Sequence, residues 1–355
     1  MLDSLERHAH PDTSHGGSGN GGSERLRVLT VTSAWPTPET PRTTIFLKRQ
    51  VEFLRAAGVD VDVFSFDGQR QPWRYLVACL RLHARLAKGR YDLVHAQFGQ
   101  NALLAFPKRL PLVVTFRGSD LHGIVGADGR VTLAGRILQR ISRLVARHAD
   151  AVVVVAEHMK SLLPSGIEAT VIPSGLDLDH VRPHPRDVAR RQLGLPLDDR
   201  LVLFAANPAV PRKRHALAKQ AVDRVAQSLP VELIVAWGVP HADMPLYMSA
   251  CDALVLTSVH EGSPNVVKEA LACNLPVVSV PTGDVPERLQ GVEGCELCPD
   301  DRVQTLAAAL ERVLRRAQRI NGRPSVAHLD ERVLASRMIG IYRRALPRTR
   351  VPRDA

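Results

Sequence analysis

The chain has 355 residues, 45% of them hydrophobic, 23% charged and 4% aromatic, and a formal net charge of +11. This length exceeds one ordinary core and points to two domains, and the composition is that of a folded soluble protein. No apolar run reaches the roughly 18 residues of a membrane-crossing helix, and no aromatic-interleaved basic stripe suited to single strands is present, which argues against an integral membrane protein and against a nucleic-acid binder.

Residues 1–24 are polar and rich in His and Gly, which predicts a disordered tail without a signal-peptide apolar region. Gly17, Gly19 and Gly22 satisfy G-x-G-x-x-G but precede the first strand, whereas a dinucleotide site requires the strand first. From residue 25, short apolar runs alternate with helical stretches. Strands are predicted at 27–32, 59–64, 93–95, 112–115, 151–155 and 170–172, with helices at 45–57, 71–88, 131–148 and 157–163. A Pro-, Asp- and Arg-rich connection fills 173–199. The alternation then restarts with strands at 201–205, 231–237, 253–257 and 276–280 and helices at 213–228, 243–249, 264–273 and 301–319. A last helix at 330–345 has the position to cross back onto the first domain. Apolar runs separated by helices imply parallel sheets covered on both faces, with ligands beyond the carboxyl ends of the strands.

The junction after 253–257 carries the sharpest chemistry. Residues 261–269 read E-G-S-P-N-V-V-K-E. Ser263 suits an N-cap and Pro264 the first helical position, so the amides near Asn265 and Val266 would face an anion at the positive end of a helix dipole. A carboxylate beside a phosphate site more plausibly accepts hydroxyls, which suits Glu261 and Glu269 to the sugar and ribose of a nucleotide sugar. Lys213 and Arg212 fall at a strand-to-helix turn facing the predicted cleft. The five cysteines are scattered and odd in number, as in reduced cytosolic proteins. Cys295-x-x-Cys298 lacks a second pair, Asp177-x-Asp179 lies in the inter-domain connection, and no metal is expected at either.

The segment from Ala253 to Val280 resembles the donor-binding segment of family 4 glycosyltransferases. Other matches follow in consistent order: Asp92-Leu-Val-His-Ala96, Val113-Val-Thr-Phe-Arg-Gly-Ser-Asp120, Pro173-Ser-Gly-Leu-Asp177 and Pro211-Arg-Lys-Arg214. The resemblance covers nearly all of residues 25–346. It implies a GT-B fold of two Rossmann-like parallel-sheet domains facing an inter-domain cleft: an acceptor domain at 25–180, a nucleotide-sugar domain at 181–329, and a C-terminal helix within 330–355. It also implies retaining transfer from a nucleoside diphosphate-sugar, without metal or cofactor, to a glycan or lipid-linked acceptor in cell-envelope or polysaccharide synthesis. By position, Glu261 would contact the donor sugar and Lys213 the diphosphate. Glu269, Arg212, Asn207, Gly262, Ser263, Pro264, Asn265 and Val266 complete the donor set. Arg117 stands at the reacting centre, and His95 and Asp120 on the acceptor side.

Two departures stand out. Arg117 replaces the family's usual histidine, and Asn207 an arginine that often lies six residues before the lysine. Arg117 could bind an anionic sugar group or form a structural ion pair with Asp120. The same departures keep open a non-catalytic GT-B paralogue that binds a nucleotide sugar or glycan. His95 could equally be a satisfied core histidine. Basic amphipathic stretches at 70–90 and 130–148 could touch anionic lipid as well as pack as ordinary surface helices, so a cytoplasmic protein with peripheral contact at the inner membrane face is the expectation.

Overall fold

The computed structural model describes residues 25–37, 44–68, 72–124, 126 and 130–347. The predicted tail, its glycine motif and the last residues of the chain lie outside that set. The first unit contains strands β1 (Arg27–Thr32), β2 (Asp60–Ser65), β3 (Leu93–Gln97), β4 (Leu112–Phe116), β5 (Ala151–Val154) and β6 (Ala169–Val171). Its helices are α1 (Ile45–Ala56), α2 (Pro72–Lys88), α3 (Gly99–Ala102), α4 (Ser119–His122) and α5 (Leu133–His148). All six strands run parallel in the order β2-β1-β3-β4-β5-β6.

The second unit has strands β7 (Arg200–Phe204), β8 (Val231–Val235), β9 (Ala253–Leu256), β10 (Val277–Ser279) and β11 (Glu296–Leu297), parallel in the order β11-β10-β9-β7-β8. Its helices are α6 (Arg186–Leu193), α7 (His215–Val225), α8 (Met244–Ala250), α9 (Asn265–Ala272), α10 (Val285–Leu289) and α11 (Val303–Arg316), and α12 (Glu331–Ala345) closes the chain. The segment predicted as a helix at 157–163 is a 3-10 turn, Glu157–Leu162.

The strands are buried on both faces, as their continuous apolar runs require. On one face of the first sheet, Leu29, Val94, Val114 and Phe116 pack with Leu82 of α2 and Val145 of α5. On the other, Val28, Leu93, Val113 and Val153 pack with Val51 and Leu54 of α1 and with Leu334, Met338, Ile341 and Tyr342 of α12. The C-terminal helix therefore lies on the first unit. Each of its fully buried apolar side chains contributes roughly 1.5–3 kcal/mol, and Asp330 caps it by accepting from the Arg332 amide at 2.8 Å.

In each sheet the strand order reverses beside the first strand of its unit, between β1 and β3 and between β7 and β9. Loops leaving such a switch point form the crevice of an open α/β sheet. In the second unit those loops carry residues 205–214 and 257–264, the stretches singled out by motif.

Arg190 pins the entry to the second unit. Its fully buried guanidinium donates to the carbonyls of Ala250, Pro196, Leu197 and Asp199 at 2.6–2.9 Å and pairs with Asp252 at 2.9 Å. The linker between the units is held from three directions. Arg49 of α1 donates to Gly175 O at 2.5 Å, Arg117 to Ser174 Oγ at 2.9 Å, and Lys268 of α9 to Ser174 O at 2.7 Å.

Candidate active site

A cleft of about 720 Å3 lies between the units. Its walls come from residues 117–119, 122–124 and 126 after β4, residues 210–212 and 214 after β7 and residues 259–262 after β9. The floor is tight. Gly118 has φ 138°, and a Cβ on Gly262 would stand 2.8 Å from Arg117 O, so the loops of the two units meet backbone to backbone only because both residues are glycine.

On the second unit's side, Arg212, Glu261 and Gly262 line the cleft and Lys213 sits directly behind Glu261. The Lys213 ammonium and the Arg212 guanidinium share Glu261 Oε1, Arg212 at 3.2 Å. This trio is assembled by short stitches between two loops. Thr257 Oγ1 donates to Lys213 O at 2.7 Å, the Val259 amide donates to Arg212 O at 2.9 Å, and Arg214 Nε donates to Thr257 O at 2.6 Å. Arg214 takes the left-handed conformation and also pairs with Asp301, so it serves as a staple although it borders the cleft.

The predicted helix start needs correction. Helix α9 begins at Asn265, Pro264 occupies the cap position, and no side chain caps it. Ser263 Oγ instead donates to Asp284 Oδ2 at 2.8 Å. Asp284 is 5% exposed, and leaving its carboxylate short of a donor costs more than an uncapped amide. The Ser263 hydroxyl is therefore committed elsewhere, and neither it nor Pro264, Asn265 or Val266 lines the cleft. By the geometry of a helix end, the amides of Asn265 and Val266 still have no intrahelical acceptor.

Glu269 lies on α9 at 6% exposure, with Oε1 3.0 Å from His241 Nε2. Burial alone would raise its pKa. The His241 hydrogen bond and the charges of His241, Arg49 and Lys268 outweigh that effect and hold it below the usual glutamate value. His241 was not legible as a partner, because nothing in its Pro-His-Ala-Asp segment points toward residue 269.

The first unit's predicted residues behave differently. Arg117 lines the cleft, but Nε donates to Gln97 Oε1 at 2.9 Å, Nη1 to Ser174 Oγ at 2.9 Å and Nη2 to Gln50 Oε1 at 3.0 Å, over the Phe46 ring. Burial pushes its pKa down to about 10, against the pull of Glu331, Asp120 and Tyr342. No ion pair joins its guanidinium to Asp120. That carboxylate is fully buried and accepts the amides of Gly99, Arg117, Gly118 and Leu121 at 2.8–3.3 Å, so it organises the loop and does not face the cleft. His95 is also fully buried, with Nδ1 2.7 Å from Tyr342 Oη and Nε2 2.8 Å from Thr115 Oγ1. Burial, then the Arg117 charge, lowers its pKa to about 3. It is a neutral core histidine. Asn207 caps a turn, Oδ1 accepting from the Ala209 amide at 2.9 Å, and does not line the cleft.

His122 and His260 line the cleft from opposite units and approach each other, with His158 beside His122. The ring of His122 lies 5.6 Å from that of His158 and 6.4 Å from that of His260. Burial first, then the two neighbouring rings, lowers the His122 pKa. Among the described residues no group of three or more His, Cys, Asp or Glu is placed to hold a metal.

Residues 25–180 match the family model described as Glycosyltransferase Family 4, and residues 211–316 match that of Glycosyl transferases group 1. The chain is a GT4-type GT-B glycosyltransferase. It is 24% identical to the putative teichuronic acid biosynthesis glycosyltransferase TuaC of Bacillus subtilis, over 81% of this chain and 89% of that protein. It is 29% identical to the D-inositol 3-phosphate glycosyltransferase of Mycobacterium tuberculosis, over 71% of this chain and 60% of that protein. In fold, this glycosyltransferase is similar to sucrose-phosphate synthase of Thermosynechococcus elongatus, with a TM-score of 0.70, 19% identity, and coverage of 90% of this chain and 98% of that one. HepE of Anabaena, solved with UDP and glucose, aligns with a TM-score of 0.65 and 18% identity, over 89% of this chain and 99% of that one.

Proposed function

We propose that this glycosyltransferase moves a sugar from a nucleoside diphosphate-sugar to a hydroxyl of a lipid-linked or polysaccharide acceptor, with retention of configuration and without a metal. The observation that carries the reading is the Lys213–Glu261–Arg212 cluster, placed at the switch point of the second sheet and followed directly by the start of α9. HepE, a fold neighbour, was solved with UDP and glucose, and the motif at 261–269 suits the same class of donor.

In the proposed reaction the bond between the anomeric carbon and the diphosphate oxygen breaks as the acceptor oxygen bonds to that carbon. The acceptor proton leaves with the departing phosphate. Negative charge then grows on the diphosphate, where Lys213, Arg212 and the open amides of α9 stabilise it. Glu261 accepts from donor-sugar hydroxyls while sharing the cations. Glu269, aligned by His241, accepts from the ribose. Arg117 is assigned to positioning, since its guanidinium ties the first unit to Ser174 of the linker.

Thermal-shift titration with UDP, GDP, ADP and TDP in EDTA tests donor binding. A ligand at a hundred times its dissociation constant adds about 2.7 kcal/mol of stability. Glu261→Ala is expected to abolish transfer with little loss of nucleotide affinity, and Glu269→Ala to weaken the nucleotide mainly. Normal transfer by both variants would overturn the site, and no shift with any nucleotide would overturn the donor class.

A further inference from the structure

The cleft is richer in basic groups than the proposed donor chemistry accounts for. Arg117, Arg212, Arg214, His122 and His260 line it, and among the described lining residues Glu261 is the single carboxylate. Lys213 and Arg212 share that carboxylate, Arg214 pairs with Asp301, and the three nitrogens of Arg117 donate to Gln97, Ser174 and Gln50. The histidines are held differently. Gln139 Nε2 of α5 donates to His122 O at 2.9 Å, Ser161 Oγ to His158 O at 2.8 Å, and Arg212 Nη1 to His260 O at 3.3 Å. Each is thus fixed through its backbone carbonyl. His122 Nε2 and His158 Nδ1 are buried and have no hydrogen-bond partner among the described residues. Those two rings lie 5.6 Å apart, and the exposed His260 ring lies 6.4 Å from His122 and within 20° of parallel to it.

We infer that His122, His158 and His260 form a subsite for an oxyanion, carboxylate or phosphate, carried by a sugar substrate in the cleft. Arg117, the residue whose type first suggested an anionic sugar, has its nitrogens committed, whereas these rings do not. The diphosphate does not account for the subsite, because Lys213, Arg212 and the α9 amides all belong to the second unit, while His122 and His158 stand on the first. Nor does a nearby carboxylate. Asp120 of α4 is buried under its amides, Glu157 of the 3-10 turn pairs with Lys160 at 2.7 Å, and Glu261 holds Lys213 and Arg212. Helix α5 brings only the neutral Gln139 and Arg143, which donates to Leu162 O at 3.4 Å. Burial, then the charges of His158 and His260, hold His122 below the ordinary histidine value of 6.5. An anion bound beside it raises that value, so binding takes up a proton. Affinity is then greatest at acid pH and falls as pH rises through the window between the free and the bound value. The inference rests on the transfer reaction proposed above only in taking a sugar as the substrate.

Calorimetric titration of the full chain tests it, with methyl glucuronide as the anionic probe and methyl glucoside as its neutral counterpart. The titration is run with and without the nucleoside diphosphate that raises the melting midpoint most, at pH 6 and pH 8, in two buffers of different protonation enthalpy. UDP-glucuronate and UDP-glucose form a second pair. At pH 6 the anionic member of a pair is expected to bind about tenfold tighter, the equivalent of one pKa unit on one histidine. Its heat should report proton uptake, and the preference should shrink at pH 8. His122→Gln and His260→Gln should each remove most of the preference and leave nucleoside diphosphate affinity at the wild-type value. His260 is exposed, so its variant reads the subsite even where His122→Gln lowers stability. A preference confined to the free glucuronide places the anion on the acceptor, and one confined to UDP-glucuronate places it on the transferred sugar. Equal affinities in both pairs, a preference without proton uptake, or one that survives both substitutions would each overturn the inference. Nucleotide binding with no preference for either anionic sugar would sink the subsite alone. The preference without any nucleotide binding would sink the transfer reading alone.

Discussion

The two walls of the cleft are built by different means. In the second unit, Lys213, Arg212 and Glu261 come from two loops stitched to each other through Thr257 and Val259, and Glu269 follows eight residues after Glu261 on the next helix. The chemistry falls in two short segments, 212–213 and 257–269, joined across the strands between them. In the first unit, the groups around Arg117 come from Gln50, Gln97 and Ser174, and His95 depends on Tyr342, 247 residues away. The chemistry there is assembled by the fold. One wall is therefore a pair of short loops stitched to each other with their charged groups at the cleft, and the other is a buried polar scaffold that reaches the cleft through Arg117.

The largest effect that could break this contrast is catalytic. Lys213→Ala removes one of the two cations proposed to stabilise the leaving group, and a positioned group of that kind is worth about 10²–10³ in turnover. We expect kcat to fall by that factor with the midpoint of unfolding nearly unchanged, because Lys213 makes its ion pair at the edge of the cleft. Single-turnover transfer together with a melting curve checks it. A large drop in stability with turnover intact would place Lys213 among the scaffold residues.

The reverse behaviour is expected from Asp120. Asp120→Ala orphans buried amides that now donate to a carboxylate, at roughly 1–3 kcal/mol for each group left unsatisfied. Chemical denaturation should show a loss of about 3 kcal/mol or more, while the nucleotide affinity of the folded fraction stays at the wild-type value. If instead stability held and nucleotide binding or transfer collapsed, Asp120 would belong to the reacting site and the contrast would fail.

These expectations also mark how far the sequence could be read. The parallel strands were legible because buried strands must be continuous apolar runs, and the cluster around Glu261 because loop chemistry at a switch point is local. Ser263 was misjudged because capping propensity says nothing of a distant acceptor, and Asp284 lies 21 residues on. His95 and Asp120 stayed open between site and scaffold because a polar residue at a strand end reads alike whether it faces a cleft or a Tyr342 brought in by the last helix. Likewise, the run of three basic residues at 212–214 does not reveal that Arg214 is held by the Thr257 carbonyl. The two-residue strand β11 was too short for any periodicity to register.

Lys268 tests the border between the two constructions. It stands one residue before Glu269, about 100° round the helix, fully buried, with Nζ donating to Ser174 O at 2.7 Å. Asp284, Arg288, Glu269, Arg49 and Glu331 surround it electrostatically, and burial pushes its pKa from 10.5 down to about 7. Between those values the unfolded chain binds a proton that the folded chain does not, so the contribution of this group to stability rises with pH across that window. One full proton of difference gives a slope of about 1.4 kcal/mol per pH unit. The buried thiols, pushed up to about 11 or 12 by burial, act in the opposite sense at high pH. They are the same in wild type and in Lys268→Met, so subtracting the two denaturation free energies isolates the lysine. We expect wild type to gain on Lys268→Met as pH is raised from 7 to 9. Parallel curves would mean that Lys268 keeps its charge in the fold, with the surrounding carboxylates outweighing burial. The linker clamp would then be an ionic device like the Lys213–Glu261 pair, and the two walls would be less different than their hydrogen bonds suggest.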